Sequence, residues 1–201
     1  MNNYTYIVSS LPVIAQSMAV SGGIDAQEIL AQIREQLSEG DCETLSFLLK
    51  GLKGESLDAS FYWTAERSGN SFIRDFFAFD MDLRNTKARY LNKALGQPES
   101  QDTIVLDEEG SHEFEEEAEV QSILSGSDIL SRERALDNLY WKKVEELTLF
   151  DYFDLNAVLG FVVRLHTVER WLKLDEKTGH EMFRKLVGEV SATFKGVNYT
   201  E

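Results

Sequence analysis

Phe72-Ile-Arg-Asp-Phe-Phe-Ala-Phe-Asp80-Met-Asp-Leu-Arg84-Asn-Thr-Lys87-Ala-Arg-Tyr-Leu91-Asn-Lys-Ala-Leu95 is the stretch on which the fold turns. At ~100° per residue, Ile73, Phe76, Phe77, Leu91 and Leu95 fall on one arc, as in an amphipathic helix. Asp80, Arg84 and Lys87 fall on that same arc. Asp80 and Arg84 stand four apart, the separation at which helical side chains meet, so they are expected to form a structural ion pair that is at least partly buried. No proline or glycine interrupts the stretch, and Gly96 and Pro98 follow it as terminators.

Toward the amino terminus, Leu57 to Glu66 carries Phe61, Tyr62 and Trp63, set off from the long helix by Ser68-Gly69-Asn70. Asp25 is placed to cap a helix bearing Ile29, Leu30, Ile33 and Leu37 that Gly40 ends, and Asp41 to start another with Leu45, Leu48, Leu49 and Leu52. Those two are read as a helical hairpin. Tyr4 to Leu11 is β-branched and aromatic, and is read as a short helix before Pro12, because no second strand exists to pair with it.

Toward the carboxyl terminus, residues 97–119 shift to Glu, Asp, Ser and Gly, with the runs Asp107-Glu108-Glu109 and Glu115-Glu116-Glu117. Such a charge block predicts a mobile acidic segment. A short amphipathic piece from Val120 leads to Ser131, expected to cap a helix with Ala135, Leu136, Leu139, Val144, Leu147 and Phe150. From Asp154 to Leu174 the apolar residues cover most of the circumference, and a helix apolar nearly all round is buried on several sides. Val158, Leu159, Phe161, Val162, Leu165, Glu169 and Trp171 are expected on this buried hairpin helix, at the centre of the bundle. Asp175 is expected to cap a last helix with Met182, Phe183, Leu186, Val187 and Phe194. These segments predict an all-α fold, antiparallel helical hairpins packed as a compact multi-helix bundle, in one domain over residues 1–201.

The chain's 201 residues, 43% hydrophobic, suffice for one well-buried core. A formal net charge of −15 argues against binding a phosphate backbone and leaves solubility, or a basic protein partner, as its meaning. Cys42 is the only cysteine, so no internal disulfide forms and a cytoplasmic setting fits. The opening residues lack a basic stretch, and no run reaches the ~18 apolar residues of a membrane span. Neither export by that route nor direct membrane insertion is expected.

Motifs for chemistry are sparse. Glu109 and His112 offer one E-x-x-H spacing, whereas a di-iron bundle needs two and further glutamates. One cysteine and the scattered His112, His166 and His180 form no zinc set. Neither a P-loop nor a dinucleotide fingerprint occurs, so no cofactor or metal is expected. Asp151-Tyr152-Phe153-Asp154 has two carboxylates, the one lead toward a helical enzyme, but Asp154 is better placed as an N-cap. Glu169, Arg170 and Trp171 are expected to make internal ion pairs.

Asp75 to Arg89 resembles a core helix of the C-type rotor subunit of V-type ATPases, named d in eukaryotes. Ala157-Val158-Leu159-Gly160-Phe161 leading to Val168-Glu169-Arg170-Trp171 is similar to a hairpin helix of that family. The opening Tyr4 to Pro12 and the closing Leu174 to Leu186 resemble a short bacterial family of uncharacterised proteins associated with V-type ATP synthase gene clusters. That second resemblance spans most of the chain, and the C-type rotor subunit itself is much longer. The resemblance implies an abbreviated bundle like that of the C-type rotor subunit, not an enzyme, that is cytoplasmic and peripheral to a membrane complex. It also implies a role in ion transport, coupling or seating the central stalk on the membrane rotor through contacts with stalk and rotor ring subunits. The alternatives are a stand-alone acidic helical adaptor and an enzyme with a carboxylate site around Asp151 and Asp154.

Overall fold

The computed structural model describes residues 4–15, 25–55, 57–106 and 114–173. The elements are α1 (Thr5–Ser10), α2 (Ala26–Gln36), α3 (Glu39–Lys53), α4 (Ala59–Glu66), α5 (Ser71–Leu95), α6 (Glu117–Leu124), α7 (Ile129–Leu147) and α8 (Leu155–Lys173). No strand occurs among the described residues, and the protein is an all-α, compact multi-helix bundle. Short polar side chains start the helices by accepting from otherwise unpaired backbone N–H groups. Asp25 serves α2, Ser38 α3, Asp58 α4, Asn70 α5 and Asp128 α7. Gly54 and Gly96 end α3 and α5 in the left-handed conformation, with φ of 72° and 68°, which glycine adopts without strain.

Two helices organise the rest. The aromatic first half of α5 buries Phe72, Ile73, Phe76 and Phe77, and Phe61 and Phe77 meet edge to face at 4.9 Å. This close approach requires Gly51 on α3, because a Cβ there would lie 2.3 Å from Phe77 Cζ. Helix α8 packs against α1, α2, α3, α5 and α7, and buries Val158, Leu159, Val162, Val163, Leu165 and Val168. Its apolar circumference is explained by this central position. Gly160 lets α8 approach α7, since a Cβ would lie 2.8 Å from Thr148 Cγ2 and 3.1 Å from Val144 Cγ1. A second cluster of Phe79, Leu83, Val120, Leu124, Leu136 and Leu139 joins α5, α6 and α7.

Several expectations need correction. Leu91 and Leu95 share the arc of the core residues but are 54% and 71% exposed, while Asn85, Thr86 and Asn92 are buried instead. The cause is a strap. Asn85 Nδ2 donates to Ile104 O and Asn85 Oδ1 accepts from Ile104 N, both at 2.8 Å, and Asn92 Nδ2 donates to Gln101 O at 2.6 Å. Residues 101–106 therefore lie along α5, with Ile104 and Leu106 packed against the main core, where the composition predicts mobility for all of 97–119. Phe114 packs against the second cluster and Glu117 begins α6.

Gly40 lies inside α3 and does not terminate α2, because Ser38 already starts the next helix. Ser131 is likewise inside α7 and donates its N–H to the actual cap, Asp128. Phe150 lies beyond the end of α7 and is exposed. Helices α2 and α3 each pack on α8 more than on one another, so the expected hairpin of these two is replaced by a shared support. The helix expected from Asp175 and the E-x-x-H spacing of Glu109 and His112 fall outside the described residues.

Candidate functional site

The charged arc of α5 leads directly to a buried polar cluster. Asp80 is 4% exposed, and three donors from three helices converge on it. Arg84 Nε lies 2.8 Å from Oδ2, Tyr62 on α4 donates its hydroxyl to Oδ2 at 2.7 Å, and Tyr140 on α7 donates to Oδ1 at 2.6 Å. The Asp80–Arg84 pair is thus buried at the carboxylate and about half exposed at the guanidinium. Burial, then the negative charge of Asp80, pushes the Tyr62 and Tyr140 hydroxyls well above their usual range, so both stay protonated and donate. Burial works against the charge on Arg84, but Asp80 outweighs it and the guanidinium stays ionised.

A second cluster repeats the design between α7 and α8. Asp137, 5% exposed, accepts from Arg170 Nη2 at 2.5 Å to Oδ1 and 2.6 Å to Oδ2, and from Trp171 Nε1 at 2.5 Å. Arg134 lies over the Trp171 ring, 4.0 Å from its centroid. Between the two clusters, Arg84, Lys87, Glu133, His166, Thr167 and Arg170 line a cleft of ≈ 180 Å³. Burial pushes His166 below its usual range, opposed by Glu169 and reinforced by Arg170 and Lys173, so the ring is held neutral. Both buried carboxylates have their oxygens engaged by cations and hydrogen-bond donors. These contacts tie α4, α5, α7 and α8 to one another.

The remaining singled-out residues have structural positions. Glu169 pairs with Lys173 at 2.7 Å, Phe161 is half-buried at the edge of the main core, and Trp171 is tied to Asp137. Asp154 Oδ1 accepts from Ala157 N at 3.1 Å and caps α8, while Asp151 Oδ2 accepts from Asn156 Nδ2 at 3.0 Å. Burial, together with the neighbouring Asp151 charge, raises the Asp154 carboxyl. That neighbourhood is therefore a pair of helix-start contacts, and it sits in a turn whose other side chains face water. Leu149, Phe150, Tyr152 and Phe153 are 60%, 83%, 69% and 48% exposed.

Sequence reading by itself missed Tyr62, Tyr140 and Asp137 as members of the clusters. Asp137 could have been found by the rule that found Asp80, since it stands three and seven residues before Tyr140 and Val144 on one helical face. The tyrosines carry no such signal, because an aromatic residue in an apolar stripe reads as core whether or not its hydroxyl has a partner.

A protein-family model described as a protein of unknown function (DUF2764) matches residues 51–193. No curated protein and no solved structure matches the chain. The matched span takes in both polar clusters, the strap and the exposed turn.

Proposed function

The chain belongs to the DUF2764 family, and we propose that it is a non-catalytic subunit or accessory of a V-type ATPase or ATP synthase, seated by protein contacts on the central stalk or membrane rotor. The reading comes from the resemblance given above, and the engagement of Asp80 and Asp137, whose oxygens are taken by donors from α4, α5, α7 and α8, is in keeping with it. A bundle cross-linked in this way suits a part that transmits force or holds a neighbour in place. The similarity of Asp75–Arg89 and Ala157–Trp171 to the C-type rotor subunit supports the same reading. These segments are α5 and α8, the two helices around which the bundle is organised. No helix among the described residues is long and apolar enough to cross a membrane, so in this proposal attachment to the membrane complex is through other subunits.

The test is affinity capture of the tagged native protein from its own cells in mild detergent. Central-stalk and rotor-ring subunits are expected among the captured proteins. A capture that contains none of them, with intact V-type complexes purified free of this chain, overturns the proposal. Recovery of one unrelated partner in their place would make the chain a stand-alone adaptor.

A further inference from the structure

The exposed turn between α7 and α8 combines three properties that seldom occur together. The first is aromatic exposure. Phe150, Tyr152 and Phe153 project from one short turn, and large apolar side chains gathered on a surface mark an interaction site. Tyr6 of α1, 77% exposed, lies close by in the fold, since Tyr4 N donates to Phe153 O at 2.8 Å.

The second is rigidity. Asp151 N donates to Thr148 O at 3.1 Å, Asn156 Nδ2 reaches Asp151 Oδ2, and Asn70 Nδ2 donates to Asn156 Oδ1 at 2.8 Å. The turn is thereby tied to the start of α5, to α8 and to α1, so little ordering entropy remains to be lost when its aromatic side chains are covered.

The third is charge. Within the turn, Leu149–Asp154, stand Asp151 and Asp154 with no lysine or arginine, whereas Glu146 just before it is already paired with Lys143 at 3.2 Å. This one-sided charge selects among the surfaces that could cover the turn. An anionic bilayer would be repelled, and a second copy meeting it face to face would double the like charge. A basic protein surface with apolar sockets complements it on both counts.

We infer that the Leu149–Asp154 turn is the docking knob by which this chain binds a basic, socketed protein surface, with Phe150 and Tyr152 as its aromatic anchors. The inference rests on the proposed function in one respect: the partner is taken to be a stalk or ring subunit of the V-type complex. Buried aromatic anchors dominate binding energy at interfaces, and acidic residues at the rim set the encounter rate and its salt dependence.

The experiment compares capture of V-type subunits by the native protein, by the double variant Phe150→Ser/Tyr152→Ser and by Asp151→Asn. It is paired with photo-crosslinking from benzoylphenylalanine placed at position 150 or, as a control, at the exposed Val105. The double variant is expected to lose about 30-fold or more in affinity, as removal of a hot spot does, with an unchanged melting temperature because both side chains already face water. Asp151→Asn keeps an acceptor for Asn156 and is expected to weaken capture several-fold at low salt and little at high salt. The crosslink from position 150 should map to a Lys/Arg-bearing peptide of a stalk or ring subunit, with none from Val105.

Equal capture by native protein and double variant overturns the docking surface and leaves the proposed function standing. A native protein that captures no V-type subunit overturns both. A crosslink from position 150 to lipid, to a second copy or to residues 174–201 of the same chain also overturns the docking surface.

Discussion

Asp80 sets two kinds of interaction against each other, a charge pair with Arg84 and hydrogen bonds from two buried phenols, and substitutions can separate them. Removing one member of a fully buried ion pair costs ~3–5 kcal/mol, while an exposed pair contributes ~0–1 kcal/mol. Arg84 is about half exposed, so Arg84→Ala is expected to cost roughly 1–2 kcal/mol, between those limits. Asp80→Ala strands the Tyr62 and Tyr140 hydroxyls, each at ~1–3 kcal/mol, and should cost about 3–5 kcal/mol in all. Urea unfolding of the two variants measures the difference. A larger loss for Arg84→Ala would mean that the charge pair, and not the tyrosines, holds the cluster together. The pair was legible from its four-residue spacing. Its tyrosine partners were not, because they come from positions 18 residues before and 60 residues after Asp80.

At the scale of the elements, helix boundaries and packing depend on different information. Gly40 and Gly51 both lie in α3, yet a Cβ at Gly40 meets nothing within 4 Å whereas one at Gly51 meets Phe77 and Phe61. Gly40→Ala is expected to stabilise the protein by roughly 0.5–1 kcal/mol through helix propensity. Gly51→Ala should destabilise it by ~1–3 kcal/mol through overpacking. Thermal melts of the two variants check the pair, and equal shifts would show that α3 and α5 can move apart freely. The strap gives another test. Asn85→Ala removes both bonds to Ile104, so limited proteolysis is expected to cut faster near Ile104 while the helical circular-dichroism signal changes little. Unchanged cleavage would mean that Ile104 and Leu106 hold the strap by packing alone. Composition could not have found this strap, since its anchors are two asparagines on another element.

For the molecule as a whole, the shifted groups set the pH range of stability. Burial holds His166 below its unfolded value, so its contribution is fully present above ~6.5 and is lost as pH falls through the folded value. His166→Gln should flatten that part of the curve. Tyr62 and Tyr140 are held above ~10, so their contribution is present below that pH and is lost as the pH rises further. Ultraviolet titration should find these two phenols ionising only as the protein unfolds. Gradual ionisation in step with the exposed tyrosines would mean that water reaches the Asp80 cluster.

The sequence by itself determined the all-α class, the long helix α5, the apolar centre in α8 and the Asp80–Arg84 spacing, because helical periodicity and i, i+4 contacts are local properties of a chain. Tertiary structure alone decided which face of α5 is covered near its end, where the strap puts Asn85 and Asn92 inside and leaves Leu91 and Leu95 in water. It also decided that Phe150 and Tyr152 project from the turn after α7. Hydrophobicity records only that a side chain prefers burial, and whether a neighbour is there to bury it depends on the path of chain segments far away in sequence.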